Sequence, residues 1–201
     1  PPAAVDNISL VSNTTATCAS LLGTGVINVA ALPYNSGAGT TCGQANNLTA
    51  SNTTICGSTS YLTGEDVVWV FTPTTTGAVS FNLSAPSASY TGLTLFSGCP
   101  VSACSGPAAT CIAYAQDFSG DKSFCANLTA GVTYYLILDS WSTPFCNAYS
   151  NLSITPVVGS TCAALLGTGV TNVAALPYNS GAGTTCGQIN NLTPTNMSTC
   201  G

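Results

Sequence analysis

A forty-residue stretch that occurs twice constrains this chain more than any other feature. Residues 18–57 read CASLLGTGVINVAALPYNSGAGTTCGQANNLTASNTTICG, and residues 162–201 repeat them with 32 of 40 positions identical and no gap. The offset is 144 residues, and the same offset aligns Asn7-Ile-Ser-Leu with Asn151-Leu-Ser-Ile. Self-similarity at a fixed long period is the signature of a linear array of like units. The expected organisation is residues 1–17 as the last strand of a preceding repeat plus linker, 18–158 as one complete repeat, and 159–201 as the opening of the next. A unit of this size can bury a core of its own.

Charge and cysteine content narrow the function. The chain holds one Lys, no Arg, no His and six acids, while 45% of its residues are hydrophobic. A sequence this apolar and this uncharged folds rather than staying disordered. One cation cannot make an electrostatic footprint for nucleic acid, and no apolar run is long enough for a membrane helix. Eleven Cys without a His or a C-x-x-C pair point to disulfides rather than zinc. Disulfides persist in oxidising compartments, so the expected location is extracellular, at or beyond the cell surface. Short spacings suggest Cys42–Cys56, Cys99–Cys111 and Cys125–Cys146, which leaves Cys18–Cys104 by elimination. By the period, Cys186–Cys200 should pair and Cys162 should find its partner elsewhere.

Short β-like runs fill the unit. Asn7–Val11 alternates, with Ile8 and Leu10 on one side. Val26–Leu32 follows two glycines that argue against a helix. Asp66–Phe71 is a near-continuous apolar run, and Ala78–Ser84 alternates with Val79, Phe81 and Leu83 inward. Leu93–Phe96, Cys111–Ala115, Ser123–Leu128, Thr133–Asp139 and Ala148–Thr155 complete about eight strands, with no helix. The fold class predicted is all-β: an antiparallel β-sandwich or jelly-roll repeat, rich in disulfides.

Three stretches carry a family resemblance: TTCG-x₁₂-CGSTSYLTGEDVVWVFTP, YTGLTLFSGCP and LTAGVTYYLILDSW. Their order resembles tandem repeat domains of secreted, adhesin-like surface proteins of the Bacteroidota, β-sandwiches akin to the pre-peptidase C-terminal domain. The resemblance covers about residues 18–156 and implies a fold far more than an activity, because such modules are joined to many different proteins.

Candidate chemistry is sparse, and no catalytic residue is assigned. Without His the usual general base is missing, and Lys122 beside Asp121 in a Gly/Ser turn reads as a solvated surface charge. Calcium is the one cofactor with candidate ligands: Glu65, Asp66 and Asp139 at strand ends, with Asp117 and Asp121 as a second pair. Nine Asn stand in N-x-S/T: Asn7, Asn13, Asn47, Asn52, Asn82, Asn127, Asn151, Asn191 and Asn196. They are candidate attachment points for covalent glycans, which would hydrate an uncharged surface. Of the aromatics, Trp69 belongs to a core strand, and Trp141 with Tyr134 and Tyr135 is the only hint of a sugar platform. Taken together, the sequence predicts a structural protein whose partners are neighbouring copies of itself, contacted head to tail through Ile8 and Leu10. The alternative is an accessory carbohydrate- or surface-binding module of a secreted bacterial hydrolase.

Overall fold

The structure, a computed structural model, describes residues 17–104, 108–141 and 146–157. The chain divides into two compact units at Pro156/Val157, and the description below concerns the first. The predicted strand Asn7–Val11 and the repeat opening 159–201 lie outside the described residues.

Alternation builds most of the strands. In chain order they are β1 (Val26–Asn28), β2 (Tyr34–Asn35), β3 (Gly39–Thr40), β4 (Val67–Phe71), β5 (Gly77–Ser84), β6 (Thr91–Ser97), β7 (Thr110–Asp117), β8 (Lys122–Leu128), β9 (Tyr134–Ser140), β10 (Ala148–Tyr149) and β11 (Asn151–Pro156). Eight of these have three or more residues. They form a five-stranded sheet in the order β1-β4-β9-β6-β7, a four-stranded sheet in the order β2-β11-β5-β8, and the small pair β10-β3. All pairings are antiparallel except β1 with β4.

One apolar layer joins the two larger sheets. Trp69, Leu95, Leu136 and Leu138 from the first meet Phe81, Leu83, Leu152 and Ile154 from the second. The five-stranded sheet is covered on its other face too. There Val68, Phe96 and Ile137 pack against Leu22, Leu48 and Cys56 of the N-terminal segment. This explains the unbroken apolar run in β4, because a strand buried on both faces has no polar side to alternate with.

The N-terminal segment is less regular than its apolar content suggests. Cys18–Leu22 forms one helical turn, α1, capped by Thr17 Oγ1 accepting from Ser20 N and ended by Gly23 at φ 67°. The expectation of no helix therefore misses this turn and a 3-10 turn at Thr59–Tyr61. The strand expected over Val26–Leu32 stops at Asn28, because the chain leaves β4 and crosses to pair Tyr34–Asn35 with β11. Ala148–Thr155 is likewise broken: Ser150 N donates to Ser84 O, and the two halves pair with different strands. Gly25 has a specific reason to be glycine. Its φ is +83°, and an added Cβ would lie 2.5 Å from the Asp66 carbonyl.

The disulfides connect this segment to the sheets rather than closing short loops. The bridges are Cys18–Cys99, Cys42–Cys146 and Cys56–Cys111, separated by 81, 104 and 55 residues. Four expectations from spacing are thus corrected: Cys42–Cys56, Cys99–Cys111, Cys125–Cys146 and Cys18–Cys104. Residues 18–57 lie across the sheet face, so each of their cysteines meets a sheet end or loop distant in sequence. The Cys104 sulfur lies within 4.8 Å of both Cys18 and Cys99 sulfurs, so the missed pairing fails by one neighbour. Cys125 points outward on β8, opposite Ser80, and is exposed. Cys186–Cys200 and Cys162 lie outside the described residues. Three disulfides within one unit fit an oxidising compartment.

Candidate functional site

The register of β4 against β9 makes the most unusual site. Val67 pairs with Leu138, so the next residues in each strand path, Asp66 and Asp139, face one another across the sheet. Both are buried, at 1% and 2% exposure. Each carboxyl holds two backbone N–H groups with one oxygen. Asp66 Oδ2 accepts from Asn47 N at 2.7 Å and Leu48 N at 2.8 Å. Asp139 Oδ1 accepts from Gly64 N at 2.9 Å and Ser140 N at 2.5 Å. The remaining oxygens, Asp66 Oδ1 and Asp139 Oδ2, have no other donor.

Two acceptors hydrogen-bond each other only if one carries a proton. Burial raises Asp139, the Asp66 charge raises it further, and its hydrogen bond to Asp66 adds to this, bringing it to about 10. Burial raises Asp66 to about 6 against the lowering effect of its hydrogen bonds. The pair therefore shares a proton at neutral pH. Its structural work is to pin the loops 43–48 and 62–64 onto the sheet.

The calcium candidates do not converge. Glu65 points away from the pair and accepts from Gly43 N at 2.9 Å, near the Cys42–Cys146 bridge. Two free oxygens from Asp66 and Asp139 fall well short of the six to eight that calcium takes, so this donor set suits a proton and not that ion. Asp117 Oδ1 accepts from Phe118 N within its own turn, and Asp121 Oδ1 accepts from Ala85 N in the connection between β5 and β6. Two cysteine-containing clusters have metal-like spacing, but each includes a disulfide whose sulfurs carry no thiolate charge.

Lys122 corrects the reading of it as a solvated charge. It is 2% exposed, and its Nζ donates to the carbonyls of Ser119 at 2.8 Å and Gly120 at 2.7 Å. The β7–β8 turn wraps the ammonium group. Burial lowers its pKa, while the charges of Asp117 and Asp121 act in the opposite direction.

The aromatic hint is also rearranged. Trp69 is fully buried and meets Tyr149 edge-on at 5.8 Å, as expected of a core strand. Tyr134 is buried against Phe71, with its hydroxyl accepting from Thr129 N, so it forms no platform with Trp141. Instead Tyr90 contacts Phe118 at 4.9 Å and Trp141 at 4.6 Å. Phe118 and Trp141 are 54% and 40% exposed. Three connections of the fold supply these rings, and their sequence separation hid the cluster. Elsewhere, a shallow uncharged cleft of about 420 Å³ is lined by Tyr34, Ser36, Gln44 and Tyr149.

The sequons separate by environment. Asn47 Nδ2 donates to Leu22 O and Asn52 Nδ2 to Asn47 O, so both amides help hold the loop. Asn151 is half-buried, and its side chain bonds Gly37 N and Asn35. Asn82 is half-buried in β5, and Asn127 is exposed on the edge strand β8. Asn7, Asn13, Asn191 and Asn196 lie outside the described residues. Sequence reasoning also missed Asn147, which is fully buried. Its side chain accepts from Ser87 N and Ala88 N and donates to Thr91 Oγ1, and its backbone N donates to Thr41 Oγ1. A lone polar residue beside Cys146 gives no sequence signal for such a network.

No protein-family model matches the chain, and no curated protein matches it. Among solved structures, it is similar to the pre-peptidase C-terminal domain of a collagenase from Bacillus anthracis. That likeness has a TM-score of 0.43 and 12% identity over 65% of this chain and 94% of that one. Among the described residues no helix is long and apolar enough to cross a membrane.

Proposed function

We propose that this is an extracellular structural protein: a disulfide-stiffened β-sandwich repeat joined head to tail into a fibre, stalk or adhesin filament and carrying glycans. The observation that carries this reading is the role of β11. Leu152 and Ile154 are fully buried between the sheets, and β11 pairs with β5 along its whole length. Residues 7–10 repeat that strand at the 144-residue offset, with Ile8 in the phase of Leu152 and Leu10 in that of Ile154. A second strand of this kind needs a second sheet, since an uncovered apolar strand leaves unpaired backbone and exposed surface. A neighbouring unit supplies the sheet by β-augmentation. Such a contact is heterologous, so repetition yields a filament rather than a closed ring.

Electron microscopy of the native material tests this reading. Filaments are expected, and Ile8→Asp with Leu10→Asp should shorten or disperse them. Compact particles that are indifferent to both substitutions would contradict it.

The exposed Phe118 and Trp141, both in contact with the half-buried Tyr90, support a second reading, an accessory module that binds carbohydrate on a secreted hydrolase. Retention on an insoluble polysaccharide, lost in Trp141→Ala, would favour it.

A further inference from the structure

We infer that Asn127 is a glycan attachment site, its side-chain nitrogen carrying an N-linked oligosaccharide that shields the outer face and free edge of the four-stranded sheet. The inference rests on the glycan-bearing part of the reading above and names the residue that carries the sugar.

Three N-x-S/T motifs lie on three neighbouring strands of that sheet, each with leucine in the middle. They are Asn82-Leu83-Ser84 in β5, Asn127-Leu128-Thr129 at the end of β8 and Asn151-Leu152-Ser153 in β11. Leu83, Leu128 and Leu152 are all buried. Alternation therefore turns the three asparagines to the outer face. Ser80, Ser84, Ser123 and Ser153 stand on the same face, and none of the outward positions of β5, β8 and β11 is charged. A broad face without charge gains hydration from a bulky, polar glycan.

Among the described residues, hydrogen bonding and burial single out Asn127. Attachment replaces one of the two hydrogens on Nδ2 with a sugar, so the amide must face solvent for the folded chain to accommodate it. Asn47 Nδ2 donates to Leu22 O at 2.8 Å and packs against Gly23, where an added Cβ would lie 2.5 Å from it. Asn52 Nδ2 donates to Asn47 O at 2.9 Å. Asn151 is held at both ends of its amide, by Gly37 N at 3.0 Å and Asn35 Oδ1 at 3.3 Å. Asn82 is half-buried on the interior strand β5, between Ser123 and Ser153. Asn127 is exposed on the edge strand β8, and its cross-strand neighbour is the small Ala78. Thr129 is exposed too, which leaves the rest of the motif open. No described strand pairs with the far side of β8, so bulk there also keeps a foreign strand off an open edge.

The attachment is a glycosyl transfer. Asn127 Nδ2 displaces diphosphate from the anomeric carbon of a glycosyl diphosphate donor. A C–N bond forms as the C–O bond breaks, the diphosphate leaves with the bonding electrons, and the amide gives up one proton to base.

Native material, reduced and digested with pepsin, tests this by electron-transfer mass spectrometry of intact glycopeptides. The peptide spanning 123–130 should carry a saccharide mass on Asn127, while Asn47 and Asn52 should be bare. A bare Asn127 in most copies would contradict the inference, wherever else sugar is found, and so would sugar on Asn47. In cells that make the protein, Thr129→Ala should remove the sugar from this peptide and Thr129→Ser should retain it. Both variants keep the backbone N–H that donates to the Tyr134 hydroxyl at 2.9 Å, so the local fold is preserved. A glycan that persists in Thr129→Ala would also count against the site. The two proposals fail separately. Filaments whose Asn127 is bare would leave the fibre standing and remove this site. A glycan on Asn127 of a discrete, non-polymeric protein would do the reverse.

Discussion

Residues 17–62 and residues 67–156 make one unit by different physics. The later region pairs long strands with one another and alternates apolar and polar side chains, so its ladders and core support each other. The earlier region has one α-helical turn, one 3-10 turn at Thr59–Tyr61, strands of two or three residues, and loops. It is held down by Leu22 and Leu48, by three disulfides, and by one carboxyl oxygen of Asp66 that takes the backbone N–H groups of Asn47 and Leu48. The body is organised by pattern and the cover by a few long-range attachments. The difference teaches that a segment whose strands are short and pair only with the later region can still be obligatory, because without it one face of the five-stranded sheet is bare.

The comparison breaks most severely if the attachments are cut. Each bridge closes a loop of 55 to 104 residues, and bridges over such loops stabilise by about 4 kcal/mol each on a chain-entropy estimate. Full reduction should strip hydrogen-exchange protection from residues 17–62 first, while β5, β6 and β9 keep theirs longer. Simultaneous loss in both regions would mean that the cover and body are not separable. Next in size, Leu48→Ala should cost about 2–5 kcal/mol in chemical denaturation. Leu48 is fully buried although it sits in a loop, and a cost below about 1 kcal/mol would show that the loop is only loosely seated.

The carboxyl pair sharpens the same boundary through pH. Both aspartates have folded values above the ordinary aspartate value of 3.8. Their contribution is fully present below that value and is lost as pH rises through about 6 for Asp66 and toward about 10 for Asp139. Melting temperature should therefore rise on going from pH 8 to pH 5, by up to about 1.4 kcal/mol of stability per pH unit for each proton. Asp139→Asn should flatten this dependence, because the amide oxygen still accepts from Gly64 and Ser140 while the amide nitrogen donates to Asp66. An unchanged pH profile in that variant would rule out a shared proton.

The smallest effect concerns proteolysis. Lys122, the chain's only tryptic site, is buried at the start of β8. Native protein should resist heavy trypsin treatment and yield two fragments only after reduction and unfolding. Rapid cleavage of the oxidised protein would show that the β7–β8 turn opens.

How much was legible in the sequence follows the same division. Val79, Phe81 and Leu83 revealed β5 because alternate burial is a local property of a strand. The DVVWVF run revealed β4 and placed Trp69 in the core because an unbroken apolar run marks a strand buried on both faces. The cover was misread wherever the answer depended on topology. Cys42 and Cys56 are close in sequence, yet each pairs with a cysteine that the sheet order delivers from far along the chain. Asp66 and Asp139 were both named as candidates, but their function as a proton-sharing pair rests on the register between β4 and β9. Tyr90, Phe118 and Trp141 come from three connections that no spacing rule links. Lys122 was misjudged because its turn supplies two carbonyls, a satisfaction of charge that composition does not reveal.

The central claim is that the repeated segment is fastened to the sheets and not to itself. Mass spectrometry of unreduced peptides from the native protein, digested with pepsin at low pH to prevent exchange, tests it directly. The account predicts Cys18–Cys99, Cys42–Cys146 and Cys56–Cys111. Finding Cys42–Cys56 together with Cys99–Cys111 would contradict it.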